Sequence, residues 1–543
     1  KREPMRVLPL DERWFHGVTP KARKHLVSSL KSLEAGRAPT PSFKLYGKSD
    51  VSLVDDFFKA VKASGLQIPE WQLKYEMSRK EKWGPQGGYA PWAELKDAFE
   101  LYYSRPSSMK SHPKVNTLEK YSRMNLRVEN LSTTLQHLKD DEKILDRAAG
   151  WRSFDLKKTD PAAQAIALAD ARSGNWMNGW FYTFSRYNKL KKRIFFPGPF
   201  SFMIVEAQYY YPFLKYIQES LKNEKANSPF TFWADKIGFD RMFDEIVTPK
   251  CASADPKHLV FIQRDFEKMD TTVGEEQTLF SFYPRLKRAF GFSPQQEKLW
   301  KDIIHFGATS PVATPSGMYT GYRGKASGAN TTNGDETCCN EDYDDVFLQL
   351  LQKYCKTANI KFKVLYTGGN GDDGIGIFEL ADLRRLSTFK KLIAKSAEEA
   401  AEIFEFRVQG SKWHISTLYG LYCQRMVASR DGKIWNGYPA TLILNAIVNP
   451  EKEYNKATWD KDYRDLDIIE KLDNGKNLQY FHELIDFVDN GMKYRLLGRS
   501  EKETRRILSK YERYRALRDE PFNRQDPETG KDITKSPTLR YLL

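Results

Sequence analysis

Apolar residues between Trp71 and about Pro249 recur mostly with a helical period. The run is interrupted at Gly84-Pro85-Gln86-Gly87-Gly88 and at Pro197-Gly198-Pro199, where clustered Gly and Pro end regular structure. From His258 the pattern changes to short β-rich runs that end in turns bearing charged residues, and this continues to about Asp431. A helical pattern then returns. Leu478, Phe481, Ile485 and Val488 fall on one helical face closed by Asn490-Gly491, and Ser500-Glu501-Lys502-Glu503 reads as a capping box opening a further helix. The first 70 or so residues are mixed, with a proline-rich break at Ala38-Pro39-Thr40-Pro41-Ser42. The stretch from Pro521 onward reads as an extended tail. Its Ile533, Leu539, Tyr541, Leu542 and Leu543 offer apolar area, which predicts that it is ordered against the C-terminal helices.

Length and composition bound this picture. At 543 residues and roughly 150 residues per domain, about three or four packing units are expected. A hydrophobic fraction of 40% is enough to bury a core in a chain of this size. No apolar run approaches the roughly 20 residues of a spanning helix, and the first residues carry no apolar h-region. A protein that is neither transmembrane nor secreted is expected. Five cysteines without a C-x-x-C pair argue against a disulfide framework or a zinc site and fit reduced thiols. The net charge of +15 fits an anionic partner, with nucleic acid foremost. On charge alone, a merely well-solvated surface accounts for it equally well.

The acidic residues locate the chemistry. Leu259-Val260-Phe261-Ile262 is a compact apolar run suited to a buried strand, and it leads into Gln263-Arg264-Asp265-Phe266-Glu267-Lys268-Met269-Asp270. Val364-Leu365-Tyr366 and Ile375-Gly376-Ile377-Phe378 are two further β runs. Between them Thr367-Gly368-Gly369-Asn370-Gly371-Asp372-Asp373-Gly374 forms a hairpin turn with two adjacent carboxylates. Gly369, Gly371 and Gly374 also satisfy G-x-G-x-x-G, but a dinucleotide fingerprint needs a helix after the loop. Here a strand follows, so that match is false. Carboxylates packed together raise one another's pKa unless a cation compensates them. Hard oxygen ligands without His or Cys suit Mg²⁺ or Mn²⁺, and two such ions can serve an in-line phosphoryl transfer.

Between the two acidic turns, Ser327-Gly328-Ala329-Asn330-Thr331-Thr332-Asn333 opens a long helical stretch to Cys355. The ordered set of Asp-x4-Asp, Ser-Gly-x3-Thr and Gly-Asp-Asp inside a hairpin resembles motifs A, B and C of viral RNA-dependent RNA polymerases. The chain looks most like those of small double-stranded RNA viruses of the picobirnavirus and partitivirus kind. Upstream, Arg186-Tyr187-Asn188-Lys189-Leu190-Lys191-Lys192-Arg193 has five cations in eight residues and resembles motif F. Downstream, Phe406-Arg407-Val408-Gln409-Gly410-Ser411-Lys412 resembles the motif D loop. Leu421-Tyr422-Cys423-Gln424-Arg425 resembles the motif E strand, whose partner returns through Asp431-Gly432, a two-residue hairpin turn. The motif-bearing resemblance runs from about Arg186 to Arg430.

That resemblance implies an α+β right-hand fold of fingers, palm and thumb, with an antiparallel palm sheet and mainly helical fingers and thumb. It divides the chain into an N-terminal extension over 1–70, a candidate bridge between fingers and thumb, and fingers over 71–255. A palm over 256–430 follows, with a fingers insertion near 276–315, then a thumb and tail over 431–543. It implies Asp265 and Asp372 as metal-binding carboxylates with Asp373 in support, two Mg²⁺ or Mn²⁺ ions, and Lys412 as general acid toward pyrophosphate. Asp270 would sense the ribose 2′-hydroxyl, with Ser327, Gly328, Thr332 and Asn333 beside it. In such enzymes an Asn nine residues after the motif B Ser often shares that task; here that position is Glu336. Arg186, Lys191 and Arg193 would line the nucleotide channel, and Arg425, Arg505, Arg506 and Lys510 would touch RNA. The implied partners are RNA template and product, nucleoside triphosphates and a capsid protein, for a monomer working in host cytoplasm and virion interior. A second reading is a non-catalytic, basic RNA-binding or capsid-associated protein. It accounts for the charge through phosphate contacts, but not for three carboxylates at the ends of apolar strands.

Overall fold

A computed structural model describes residues 3–104, 108–140, 147–326, 331–452, 461–496, 500, 502–503, 506 and 536–542. The strands among them are β1 (Arg6–Leu8), β2 (Phe181–Tyr182), β3 (Phe184–Asn188), β4 (Lys191–Phe195), β5 (Leu259–Asp265), β6 (Val312–Thr314) and β7 (Gly317–Thr320). They continue with β8 (Phe362–Asn370), β9 (Asp373–Leu380), β10 (Ile415–Ser416), β11 (Gly420–Tyr422), β12 (Arg425–Arg430) and β13 (Lys433–Gly437). With the helices between and around them, the fold is α+β.

The central sheet has the order β10-β5-β9-β8 and is antiparallel throughout. Its apolar runs are continuous rather than alternating because both faces are covered. Val260 and Ile262 join one core with Phe378, Tyr343, Phe347, Phe389 and Ile393, whereas Leu259 and Phe261 join another with Ile375, Ile377, Tyr366 and Phe232. A one-residue slip of β5 would therefore exchange two cores.

The helix Thr332–Thr357 lies in the first of these cores, although its sequence is rich in acids. Buried acids need cations, and all of these but Glu336 find one elsewhere in the chain. Asp335 pairs with Lys325 at 3.1 Å, Asp344 with Arg264 at 2.7 Å, and Glu341 with both Lys120 at 2.7 Å and Arg285 at 2.9 Å. Arg285 also takes Asp342 at 2.8 Å. The helix is a hub that ties four segments together by charge.

A second sheet, β1-β7-β6-β2, joins the N-terminal strand to residues 312–320 and 181–182. Residues 45–75 pack elsewhere, in a core with the helices Ala440–Val448, Lys461–Asp473 and Phe481–Gly491. Glu76 fastens that contact. Its buried carboxylate accepts the Ala440 and Thr441 backbone N–H groups at 2.9 and 3.1 Å, capping the helix they open, and also the Tyr480 hydroxyl at 2.6 Å. The first 78 residues thus contact both the second sheet and the C-terminal helices. Leu478 is buried in the same core but precedes the helix Phe481–Gly491. The short helix Pro537–Leu542 docks there too, placing Leu539 and Leu542 out of solvent. Ile533 and Leu543 lie outside the described residues. The Ser500 hydroxyl accepts the Glu503 N–H at 3.1 Å, the first half of the expected capping box.

Two sequence expectations are corrected. Residues 186–193, inside the stretch whose apolar period reads as mostly helical, form the hairpin β3–β4, turned at Lys189 and Leu190, both at positive φ. Residues 421–425 are not one strand. Cys423 and Gln424, at φ 49° and 65°, form a tight turn between β11 and β12. The boundary at 431 falls inside the β12–β13 hairpin, whose Asp431-Gly432 turn appears as expected. No helix of the described residues is long and apolar enough to cross a membrane, and the five cysteines are free.

Candidate active site

Strands β5 and β9 bring together two acids that are far apart in sequence: Asp265 and Asp373 are direct cross-strand partners. Asp372 stands one residue before, exposed on the tight turn between β8 and β9. Gly371 at φ 58° makes that turn possible. A side chain at Gly374 is excluded for another reason, since its Cβ would lie 2.4 Å from the Arg264 guanidinium. The glycines of the false fingerprint are packing and turn residues, and β9 follows them directly.

The turn is held by one face of the helix Thr332–Thr357. The Gly371 N–H donates to the Thr337 hydroxyl at 2.8 Å, and the Asn340 amide donates to the Gly371 and Asp373 carbonyls at 3.1 and 2.8 Å. One turn earlier, the Asn333 amide donates to the Asn370 side chain at 2.8 Å, and the Lys236 ammonium donates to Asn333 at 2.7 Å. Residues three or four apart share a helix face, so a single stripe fixes the backbone that carries both acids. From the other side the Cys423 N–H donates to Asp373 Oδ2 at 3.1 Å. Asp373 Oδ1 is buried without a hydrogen-bond partner.

The electrostatics fit a site that expects a cation. Burial, then Asp372, push the Asp265 carboxyl above its ordinary range, with Lys191 partly offsetting them. Burial and Asp270 do the same to Asp372. Asp373 is pushed well above, by burial and by both neighbouring acids. Glu336, at the position where the resemblance has Asn, is buried and raised by burial, Asp372 and Asp270. Among the described residues no three acid, His or Cys side chains converge closely enough to form a ready-made metal cage. The donor set nevertheless suits a hard divalent ion: carboxylate oxygens only, crowded, and one of them buried and unsatisfied.

Facing the acids is the β3–β4 hairpin. Lys191 and Arg193, two residues apart and exposed, share one face of β4. Asp265 and Asp372 both act on Lys191, while burial, Lys82 and Arg193 push its ammonium down. Arg186 lies opposite Arg193 in the register, but it is engaged by Glu451 at 3.4 Å and lies over the Phe195 ring. Lys192 points away, to Glu94 at 3.3 Å.

The turn bearing Asp270 is fixed from several directions. Lys268 adopts φ 47°, Arg407 donates to the Thr271 hydroxyl at 2.7 Å, and the Tyr102 hydroxyl donates to Asp270 Oδ2. Thr332, at the start of its helix, donates to the Ala326 carbonyl at 2.7 Å. Lys412 is exposed, next to Trp413, whose indole N–H donates to the Asp265 carbonyl at 3.0 Å.

Other expected residues stand differently. Arg425 is only 4% exposed, bonded to Asn436 at 3.2 Å and packed over the Phe239 and Tyr438 rings. An RNA contact at Arg425 is therefore corrected to a packing role: it lies opposite the buried Tyr422, on a strand buried on both faces from Arg425 to Ala428. Arg506 is paired with Asp462 at 2.6 Å and with Glu503. Ser327, Gly328, Arg505 and Lys510 lie outside the described residues. Sequence reading missed Tyr102, Lys236 and Lys82, which come from segments without a motif and enter the site only through the fold.

No protein-family model matches the chain, and no curated protein matches it. Solved structures do. The crystal structure of the RNA-dependent RNA polymerase of a human picobirnavirus has a TM-score of 0.76 at 15% sequence identity, over 98% of this chain and 99% of that chain. The insertion loop deletion mutant of an RNA-dependent RNA polymerase of a human picobirnavirus has a TM-score of 0.72 at 15% identity, over the same shares. The shared feature is the fold, and it spans the whole length.

Proposed function

We propose that the chain is a template-directed RNA polymerase that replicates and transcribes a viral RNA genome by nucleotidyl transfer to an RNA 3′-hydroxyl. The observation that carries this reading is the juxtaposition of Asp265 and Asp373 on neighbouring strands, with Asp372 beside them and Lys191 of the facing hairpin acting on Asp265 and Asp372. An RNA-binding protein without chemistry has no use for crowded, mutually repelling acids. A fold shared over the full length with solved RNA-dependent RNA polymerases supports the same reading.

On this proposal the central sheet with its helices is the palm, and residues 71–255 with the helices Glu275–Phe290 and Pro294–Thr309 are the fingers. The cluster after β13 is the thumb. The first 70 residues bridge fingers and thumb, in keeping with their contacts to the second sheet and the C-terminal helices. Asp265 and Asp372 would hold two divalent ions with Asp373 in support. Such ions, when bound, activate the attacking hydroxyl and neutralise the leaving oxygen. The rest of the task is positioning and charge. Lys191 and Arg193 receive the triphosphate on the side opposite the acids, and Asp270 reads the sugar. Lys412 would pass a proton to departing pyrophosphate. Arg506 and the residues around it offer contacts to the RNA backbone. RNA and nucleoside triphosphates are the partners, with a capsid protein as a further one.

The test is RNA synthesis on single-stranded template with Mg²⁺ or Mn²⁺. Asp265→Asn and Asp372→Asn are expected to abolish extension while RNA binding persists, because these acids oppose the RNA backbone electrostatically. Extension at the wild-type rate would overturn the assignment.

A further inference from the structure

The sugar-reading role given to Asp270 raises the question of what orients its carboxylate. A free aspartate side chain turns broadly about its terminal torsion and offers either oxygen in many directions. Here the carboxylate is fixed by a residue almost 170 positions upstream: the hydroxyl of Tyr102, in the helix Trp92–Ser104, donates to Asp270 Oδ2. Tyr102 is 5% exposed, and its ring packs edge-on against Phe196 at 4.9 Å. Phe196 directly follows the strand that carries Lys191 and Arg193. The backbones are joined as well. The Tyr102 carbonyl accepts the Gly324 N–H at 2.8 Å, and the Asp270 carbonyl accepts the Lys325 N–H at 2.8 Å. A Cβ at Gly324 would fall 2.4 Å from that Asp270 carbonyl oxygen, so the segment is wedged between the tyrosine helix and the aspartate turn.

Asp270 and Tyr102 thus form one rigid unit. The acids Asp372 and Glu336 act on Asp270, offset by Lys268 on its own turn, and the phenol is the side-chain donor that holds the carboxylate in place beside the backbone N–H groups of its turn. A hydrogen bond to the ionised form also favours it against burial.

We propose that Tyr102 is a positioning residue for sugar selection, its hydroxyl holding the Asp270 carboxylate in the single orientation that recognises a 2′-hydroxyl on the incoming nucleotide. This rests on the reading of Asp270 given above. On that reading Tyr102 acts through Asp270. Losing the hydroxyl should therefore leave ribonucleotide turnover nearly intact and should weaken the rejection of deoxyribonucleotides.

The experiment compares kcat/KM for one ribonucleoside triphosphate and its 2′-deoxy counterpart, on one primed template, in wild type, Tyr102→Phe and Asp270→Ala. The ring and its packing on Phe196 survive in Tyr102→Phe, and thermal melting checks that the variant is folded. The preference for ribose should fall roughly tenfold in Tyr102→Phe, the size of one hydrogen bond to a charged group, and further in Asp270→Ala. Because both substrates are measured on one preparation, a general structural loss cancels from the ratio. An unchanged ratio in Tyr102→Phe with a collapsed ratio in Asp270→Ala overturns this inference alone. An unchanged ratio in both overturns the sugar-reading role of Asp270 and this inference with it.

Discussion

Replacing Arg264 by Met should cost the central sheet about 3–5 kcal/mol, the usual penalty for removing one partner of a buried ion pair. Arg264 immediately precedes Asp265 and is 1% exposed. Its guanidinium donates to Asp344 at 2.7 Å, to the Gly368 carbonyl at 2.6 Å and to Asn340 at 3.3 Å, and it lies over the Phe232 ring at 5.5 Å. It therefore links β5 to β8 and to the helix that holds the acidic turn. Met fills much of the volume, so the cavity left behind is small and the loss is mainly electrostatic. Asp344, already raised by burial and restrained chiefly by Arg264, would be left as an uncompensated buried carboxyl. At roughly 2–4 °C per kcal/mol for a unit of 150–250 residues, the thermal midpoint should fall by roughly 10 °C. Adding Asp344→Leu should restore a large part of the loss, because the pair rather than either member is what burial tolerates. A drop of less than 2 °C in Arg264→Met, or a double variant less stable than the single one, would refute the charge-hub account of this helix.

Three further outcomes are expected. Lys191→Ala should raise the apparent KM for nucleoside triphosphate about tenfold, by loss of one charge-assisted contact, while Lys192→Ala, whose partner is Glu94, should leave it within about twofold; equal effects in steady-state assays would show that the face of β4 does not matter. Glu206, 1% exposed, is pushed by burial to about 7, with Lys325 partly offsetting. The unfolded chain ionises this group from about pH 4.5 while the folded one resists, so its contribution to stability is present below that pH and is lost as pH rises to about 7; Glu206→Gln should be more stable than wild type by about 3 kcal/mol at pH 8 and equal to it at pH 4 in thermal melts. Deleting residues from Ser536 onward should destabilise the C-terminal helical cluster by about 3 kcal/mol, since it removes the buried Leu539 and Leu542, uncovers the apolar surface they pack on and strips Asp473 of its bonds from Ser536 and the Thr538 N–H; an unchanged melting profile would count against the docked tail.

The strands of the central sheet were legible because burial on both faces gives uninterrupted apolar runs, and the turn between β8 and β9 because its glycines and acids stand together. The β3–β4 hairpin was not. Its turn is made by Lys189 and Leu190 without glycine, and its cations hide the alternation that puts Ser185 and Ile194 inside. Nothing in the sequence of the helix Thr332–Thr357 marks its acids as buried; only the fold brings them to Lys120, Arg264, Arg285 and Lys325. Arg425 looked like a phosphate contact, since nothing local distinguishes an arginine destined to pack between Phe239 and Tyr438. Tyr102 and Lys236 belong to the site through long-range packing, which no spacing along the chain encodes.

The most direct test of the central claim is single-nucleotide addition to a primed RNA template, measured in the presence of Mg²⁺ for wild type, Asp265→Asn and Asp372→Asn at equal RNA occupancy. The account predicts a loss of at least about a hundredfold in each variant, the scale on which a transition-state charge goes unstabilised, with RNA affinity unchanged or slightly tighter. Addition at the wild-type rate in either variant would contradict it.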